Sequence, residues 1–406
     1  MATSIKWQFS ARFRRNAFGW KSQPPILRIK EALAEIKQVA KKETALAAEG
    51  AVLFLEKLAP ALSGVDSSSG AIGTAVNRAI DTLVPIIAKA DVSRAVRAAW
   101  LERLFQAIQD DDMPYLEHLG QFWGDLCVTP ELADQWADDL ASTVTTMWEH
   151  NAAGAHGFFR GTSVCLSALC AAGQIDRLLA LLDIPRYKHW HDRQWGAEAL
   201  FRAGRHAEAI AYAENSLGLN TPLAEIAPFC ERVLLGMGDA ESAYARYALK
   251  ASYATTNLAT FKAVAKKYPG KLPETILRDL IASTPGHEGK WFAAAKASGL
   301  FALATELAQR NSADPRTLIR AAKDYAIDQP EFALAAGTNA LSGIARGAGY
   351  DITSADVRDA YAALVHAARS AGVDDATLKA RVRTAIAGSD FLQSILAAQL
   401  AQSGIK

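Results

Sequence analysis

Apolar residues recur with a helical period along most of the chain. From Ile26 to Val39 they return every three or four positions, which predicts an amphipathic helix with one buried face. The stretch 44–62 is apolar on nearly all sides, so we expect a helix that is buried all round. The same reasoning predicts further helices at 71–90, 93–109, 114–127, 131–149, 157–172, 354–370, 374–387 and 389–403.

Between residues 173 and 330 the helical pattern is interrupted at near-constant intervals. The breaks lie at Gly173, Gly204, Gly238, Gly270, Gly299 and Gln329-Pro330. A period of about 30 residues, with one helix before and one after each turn, is typical of helical solenoids. We therefore predict an all-α chain of roughly twenty helices, arranged as a right-handed α-solenoid of stacked antiparallel helix pairs without a significant sheet.

The stretch 194–222 resembles one unit of the tetratricopeptide-repeat family. Gly204 lies at the turn between the two helices, Ala209 at the small-residue contact between them, and Pro222 near the end of the unit. Small residues at such a contact let two helices approach closely. The resemblance implies a helix pair that stacks on its neighbours and presents a surface for a protein partner.

The match to that family is partial. Arg193 and Ala197 stand where the family usually has Trp and Gly, so its peptide-clamp residues are not carried over to this chain. The other units keep only the turn glycine and the alternation of small and large residues. The wider chain also resembles a family of uncharacterised bacterial helical-repeat proteins, through the stretches 48–62, 65–77 and 289–300.

Changes in pattern divide the chain into four predicted segments. They are a basic, aromatic arm at 1–25, a helical domain at 26–156, tetratricopeptide-like repeats at 157–345 and capping helices at 346–406. The Gly-rich stretch 342–351 marks the last boundary as a loop or hinge. Capping helices are expected because the end repeat of a solenoid would otherwise expose its apolar face.

Composition supports a folded protein and narrows its class. Half of the 406 residues are apolar, which is enough to form a core and excludes a disordered chain. The net charge of +1 gives no overall attraction to nucleic acid or to membranes. Four cysteines without a spacing pattern, together with the lack of a secretory or transmembrane stretch, predict a cytoplasmic protein that does not act at a membrane.

The N-terminal arm and the helix after it are unusually basic. Within the first 42 residues, ten Lys and Arg side chains accompany only two acidic ones, Glu31 and Glu35. Cations that neutralise phosphates, placed beside rings that stack on bases, suit nucleic acid. The candidate contact residues of this basic arm are Lys6, Arg12, Arg14, Arg15, Trp20 and Lys21.

An acidic window lies further along the chain. Between Arg103 and Arg160 there is no Lys or Arg, and ten Asp and Glu residues fall within 110–149. The basic arm and this acidic window would attract each other within one molecule or between two copies. Three alternatives therefore stay open for the arm: internal docking or self-association, contact with a protein partner, and nucleic-acid binding.

The loop before the predicted helix at 71–90 is a candidate anion or ligand site. Hydroxyl groups and glycines ahead of a helix leave backbone N–H groups free at the positive end of the helix dipole. The loop lacks the ending of a phosphate-binding P-loop, and an ordinary helix N-cap would have the same composition. The candidate residues are Asp66, Ser67, Ser68, Ser69, Gly70, Gly73 and Thr74.

No motif in the sequence predicts a catalytic residue, a metal ligand or a cofactor. His189 and His191 are two positions apart, which points them to different faces of a helix, and Cys165 and Cys170 are spaced as core thiols. The sequence therefore favours a non-enzymatic interaction protein that binds a protein partner through a concave solenoid surface. A nucleic-acid-binding protein that uses the basic arm is the first alternative, and a helical-repeat enzyme acting near Ser67–Thr74 is the second.

Overall fold

Helices form the regular structure throughout the described residues, 6–310 and 312–401, of the computed structural model. No strand is present in that part of the chain, where one isolated antiparallel bridge joins Gly218 and Thr221. The predicted all-α class is therefore confirmed. Residues 1–5 of the predicted arm and 402–406 of the last predicted segment lie outside the described residues.

The chain divides into two units, unit 1 up to Ile226 and unit 2 from Ala227 onward. Unit 1 contains α1 Gln8–Arg12, α2 Gln23–Ala40, α3 Thr44–Leu62, α4 Ala71–Ala88, α5 Arg94–Gln109, α6 Trp123–Cys127, α7 Pro130–Ala152, α8 Thr162–Ala171, α9 Ile175–Asp183, α10 Trp190–Arg202 and α11 His206–Glu214. A 3₁₀ helix, Glu117–Phe122, precedes α6. The unit boundary falls inside α12, Leu223–Gly236.

Unit 2 continues with shorter helices. They are α13 Ala240–Ala243, α14 Leu249–Ala251, α15 Asn257–Lys267, α16 Pro273–Ala282, α17 Phe292–Ala297, α18 Phe301–Ala308, α19 Pro315–Asp324, α20 Pro330–Ala345, α21 Ser354–Ser370, α22 Asp375–Ala385 and α23 Asp390–Ala401. A π-helical turn, Tyr244–Ala248, connects α13 to α14, and a 3₁₀ helix, Glu288–Trp291, precedes α17.

The core of the first half of unit 1 surrounds α3. This helix is buried along most of its length, as its nearly uniform apolar sequence predicts, and it packs against α2, α4 and α5. A buried arginine closes the end of α4: Arg97 donates to the carbonyl oxygens of Ile87, Ala90 and Leu126 at 3.2, 2.6 and 3.3 Å. These bonds satisfy carbonyl groups that lack partners at a helix C-terminus.

Several predicted boundaries need correction. The helix expected at 114–127 is replaced by a loop, a 3₁₀ helix and the short α6, because Asp111 binds the amide of Leu116 and fixes a non-helical turn. The first long helix begins at Gln23 rather than Ile26, since proline is accepted in the first turn. The predicted bounds of α21, 354–370, are confirmed, and Thr353 caps this helix through a capping box with Asp356.

Four of the turn glycines adopt the same backbone conformation. Gly173, Gly204, Gly238 and Gly299 have φ of 73°, 75°, 81° and 72°, and each lies between two consecutive helices. In each case the amide of the next residue binds the carbonyl five positions before it, for example Arg205 N–H to Leu200 O at 2.9 Å. Glycine suits this left-handed helix end because it has no Cβ. Gly270 also lies between two helices but has no positive φ.

A buried arginine lies in the contact between α10 and α11. Arg193 is 5% exposed, and its guanidinium lies 4.0 Å from the ring centre of Tyr212. Its Nε donates to Ser216 Oγ at 2.7 Å. Ala209 is fully buried between the helices, as predicted. A cation stacked on a tyrosine therefore contributes to the packing of this helix pair.

One helix within the described residues, α4, has the length and apolar composition of a membrane span. Core helices of soluble proteins pass the same test. In α4 the side chains of Ile72, Val76, Ile80 and Leu83 are fully buried against neighbouring helices.

Candidate interaction site

The N-terminal arm lies on α2 and α3, and aromatic side chains hold it there. Trp7, Phe9 and Phe13 are buried, and the ring centres of Phe9 and Phe13 lie 5.4 and 5.0 Å from that of Phe54 in edge-on contacts. The Trp7 ring packs against Gly50, where a Cβ would overlap it. The arm is therefore part of the core of unit 1, and its apolar residues determine its position.

Backbone hydrogen bonds fasten the arm at both of its ends. Glu35 on α2 accepts from the amides of Gln8 and Phe9 at 2.7 and 3.1 Å, so it acts as a cap for α1. Further along, the Asn16 amide donates to Pro60 O at 2.9 Å, and Trp20 O accepts from the Asp66 amide at 2.8 Å. The arm thus ends beside the candidate anion loop.

The basic side chains of the arm face solvent. Lys6, Arg12, Arg14, Arg15 and Lys21 are all exposed, and the exposed fraction of Trp20 is 72%. Of these five cations, only Arg12 forms an ion pair with another described residue: it binds Glu31 at 2.6 Å. Arg28 binds the same carboxylate at 2.7 Å. Arg14 donates to Ala11 O at 2.9 Å.

The candidate loop at 66–74 uses its polar groups on its own backbone. Asp66 accepts from the Ser68 amide at 3.0 Å, which lowers the pKa of that carboxyl, and Ser69 Oγ accepts from the Ala71 amide at 3.4 Å. Gly70 caps α4 with φ of 69°, and Thr74 donates to its carbonyl. An anion at this loop would meet the Asp66 carboxylate, so these contacts favour the capping alternative.

A groove of about 850 Å³ lies where the arm, the end of α3 and the end of α5 meet. It brings Arg15 of the arm opposite the start of the acidic window. Its lining residues are Arg15, Asn16, Ala59, Pro60, Ser63, Gln109, Asp110, Asp111, Asp112 and Met113. None of the loop residues 66–74 belongs to this lining.

Asp111 is the buried acid of this groove, with 2% of its surface exposed. Burial raises its pKa to about 6, although the Leu116 amide, which donates to the carboxylate at 2.7 Å, and the charge of Arg160 lower it. The carboxyl orders the turn after α5.

Two further acidic residues of the window are engaged away from the arm. On α7, Asp134 accepts a hydrogen bond from Gln174, and Asp138 forms an ion pair with Arg177 at 2.5 Å. Gln174 and Arg177 lie at the start of α9. Within one chain, then, Arg15 is the single arm cation that the described residues place beside the window, across the groove from Asp110–Asp112. Docking between two copies stays a prediction.

The outer face of α2 continues the basic segment that the sequence indicated. Ile29, Ala32 and Ile36 are buried, whereas Lys30, Lys37 and Lys41 at its end are exposed. Their spacing of seven and four residues places all three on one side of the helix. The sequence analysis noted these lysines but did not assign them to one face, which the polar half of the same helical period indicates.

The four cysteines are core residues, as expected. Cys127, Cys165, Cys170 and Cys230 are all buried. Burial raises the pKa of the Cys127 and Cys165 thiols to about 12. Thiols held protonated in this way are poor nucleophiles and poor metal ligands.

Comparisons with known proteins add no assignment to this geometry. No protein-family model matches the sequence, and no curated protein matches it. The resemblance to tetratricopeptide-like and bacterial helical-repeat proteins therefore stays a prediction.

Proposed function

We propose that the chain is a non-enzymatic, tetratricopeptide-like α-solenoid that serves as a scaffold for a protein partner. The observation that carries this proposal is the order of helix packing inside each unit. In unit 1, α8 contacts α7 and α9 as its neighbours and α6 and α10 as its next neighbours. In unit 2, α20 contacts α19 and α21, and also α18 and α22.

This packing order is typical of solenoids because each helix pair buries its apolar face on the pairs before and after it. The left-handed glycine turns support the same interpretation, since they reverse the chain in the same way between successive helices. A molecule built from local contacts offers long surfaces and many loop ends for recognition.

Exposed apolar side chains at the loops of unit 1 supply anchors for a partner. Tyr187 follows α9 and Leu219 follows α11, and both are exposed. Their loops touch, because the hydroxyl of Thr221 donates to Lys188 O at 3.4 Å. Large apolar residues that a folded domain leaves exposed in one place mark interaction surfaces.

Photo-crosslinking in cells tests this proposal. A photoreactive amino acid is placed at Tyr187 of the full chain in one variant and at Tyr350, an exposed tyrosine of unit 2, in another. We expect one protein to be crosslinked in near-stoichiometric yield from position 187 and not from position 350. The additional change Leu219→Ser should abolish that product.

Two results would contradict the scaffold proposal. One is a set of products that is the same from both positions, and the other is a product from position 187 that survives Leu219→Ser unchanged.

A further inference from the structure

We infer that the lysine face of α2, together with the basic end of the arm, is a nucleic-acid-binding surface. The lysine face consists of Lys30, Lys37 and Lys41. This is a second function, separate from the protein scaffold proposed above. It extends the candidate contact residues of the arm to the lysines of α2.

The lysine face runs along the axis of α2. A helix rises about 1.5 Å per residue, so Lys30 and Lys41 are separated by about 16 Å along the axis. One strand of duplex DNA advances about 3.4 Å per phosphate, so this length corresponds to about five phosphates. The three ammonium groups therefore suit a backbone that runs along the helix rather than a single bound anion.

The neighbouring acidic residues do not cancel the positive charge of the lysine face. Glu31 holds two arginines, Arg12 and Arg28, and Glu35 accepts two backbone amides of α1. These are the only acidic residues between Lys6 and Lys42, a segment with ten basic residues. The segment thus keeps a large positive excess on its outer side, within a chain whose net charge is +1.

The arm that leads into α2 adds exposed cations and an exposed indole to this surface. Arg14 and Lys21 are exposed and form no ion pair among the described residues, whereas Arg15 lines the groove that also holds Asp110–Asp112. Trp20 precedes α2 by three residues and is 72% exposed. An exposed indole beside a row of cations is the arrangement on which unpaired bases stack.

The composition of the face distinguishes nucleic acid from other anionic partners. Ala34 and Gln38 lie between the lysines, where a membrane-binding helix would carry bulky apolar residues. Protein interfaces are depleted in lysine and rely on aromatic and arginine anchors at their centre. A lysine row without an apolar centre fits phosphates best.

Fluorescence anisotropy with the full-length protein tests the inference. The probes are a labelled 20-nucleotide single strand and the matching 20-base-pair duplex, titrated at several salt concentrations. The test variant is Lys30→Gln/Lys37→Gln/Lys41→Gln. The control variant, Lys262→Gln/Lys266→Gln/Lys290→Gln, removes three exposed lysines of unit 2 and changes the net charge equally.

Each lost phosphate contact lowers the slope of log K against log salt by about 0.7 to 0.9. Loss of three contacts therefore predicts a slope smaller by about 2 to 3 and an affinity about 100-fold weaker at 0.1 M salt. The control variant and a Lys30→Arg/Lys37→Arg/Lys41→Arg variant should bind like the original protein. Trp20→Ala should weaken the single strand about tenfold and leave the duplex unchanged.

The remaining outcomes overturn the inference. They are no binding by the intact protein at low salt, an equal loss in the test and control variants, or binding to phosphatidylserine vesicles without binding to either oligonucleotide. Circular dichroism of each variant verifies folding, and the charge-preserving arginine variant keeps the test decisive if the glutamine variant is unfolded. None of these outcomes depends on the crosslinking at Tyr187, so the two proposals fail separately.

Discussion

The basic segment, residues 6–42, and the acidic window, residues 110–149, have opposite charges but are held in the fold by different means. The basic segment is positioned by buried rings, Trp7, Phe9 and Phe13, while most of its cations stay in solvent. The acidic window uses several of its side chains as structural partners, such as Asp111 for a turn and Asp138 for Arg177.

This difference indicates that the burial of rings, more than the attraction of opposite charges, positions the basic segment. An exposed ion pair contributes about 1 kcal/mol or less, whereas burying a large aromatic side chain contributes several times more. The arm therefore lies where its rings find a core, and its charges remain where that position leaves them. The consequence for function is a positive surface that the fold itself does not neutralise.

Removing a buried ring of the arm is expected to have the largest effect on the free energy of unfolding. Phe13→Ala should lower the free energy of unfolding by about 3 to 5 kcal/mol, since it removes a buried aromatic side chain against Phe54. Arg14→Ala, one residue away and exposed, should change it by less than about 0.5 kcal/mol. Urea denaturation of both variants measures the difference. Equal losses would mean that charges hold the arm as strongly as rings do.

The pH dependence of stability comes next and concerns the acidic window. The pKa of Asp111 is about 6 in the fold, raised by burial, and about 3.9 in an unfolded chain. A raised carboxyl pKa adds stability below pH 4 that is lost as the pH rises through 6. The loss amounts to about 2 to 3 kcal/mol.

Asp111→Asn should remove this dependence while it keeps an oxygen that accepts from the Leu116 amide. The stability of the variant relative to the original protein should therefore rise between pH 5 and pH 7.5. Denaturation curves at these two pH values measure it. Parallel pH profiles for the two proteins would show that Asp111 is ionised in the fold without cost.

A smaller effect is expected where the arm meets α3. Gly50→Ala places a methyl group against the Trp7 ring and should cost about 1 to 3 kcal/mol. In a Trp7→Ala background the same change should cost much less, because the ring is gone. A double-mutant cycle measures this coupling. If the losses of stability from Gly50→Ala and Trp7→Ala were additive, the cost of Gly50→Ala would not come from contact with the Trp7 ring.

The smallest of these effects concerns the cap of α1. Glu35→Ala leaves the Gln8 and Phe9 amides without an acceptor and should cost about 1 kcal/mol, as loss of a helix cap does. Glu35→Gln, which keeps an acceptor oxygen, should cost less. Thermal unfolding of the two variants distinguishes a cap from a surface ion pair, for which both changes would have the same effect.

Much of the fold follows from the sequence because its signals are local. The uniform apolar run of α3, the Thr129-Pro130 start of α7 and the glycine turns each specify a helix or its end through neighbouring residues. The failures occur where a distant or unusual contact decides. Asp111 breaks the helix expected at 114–127, and proline begins α2 three residues early.

The candidate site was predictable only in part. Sequence reasoning found the cations of the arm and of the helix after it, but it did not show that Glu31 and Glu35 would be engaged. Their engagement depends on how the arm packs across α2, and Arg12 and Glu31 are 19 positions apart in the sequence. Residues that far apart leave no periodic signal in the sequence.

Hydrogen exchange of the arm tests the central claim most directly. The amides of Phe13 and Asn16, which bind Phe9 O and Pro60 O, report whether the arm is docked. We predict that their protection is the same in 0.05 M and 1 M salt and in Arg12→Gln/Arg14→Gln/Arg15→Gln, and that it is lost in Phe13→Ala. Protection that falls with salt or in the glutamine variant, and survives Phe13→Ala, would contradict the account.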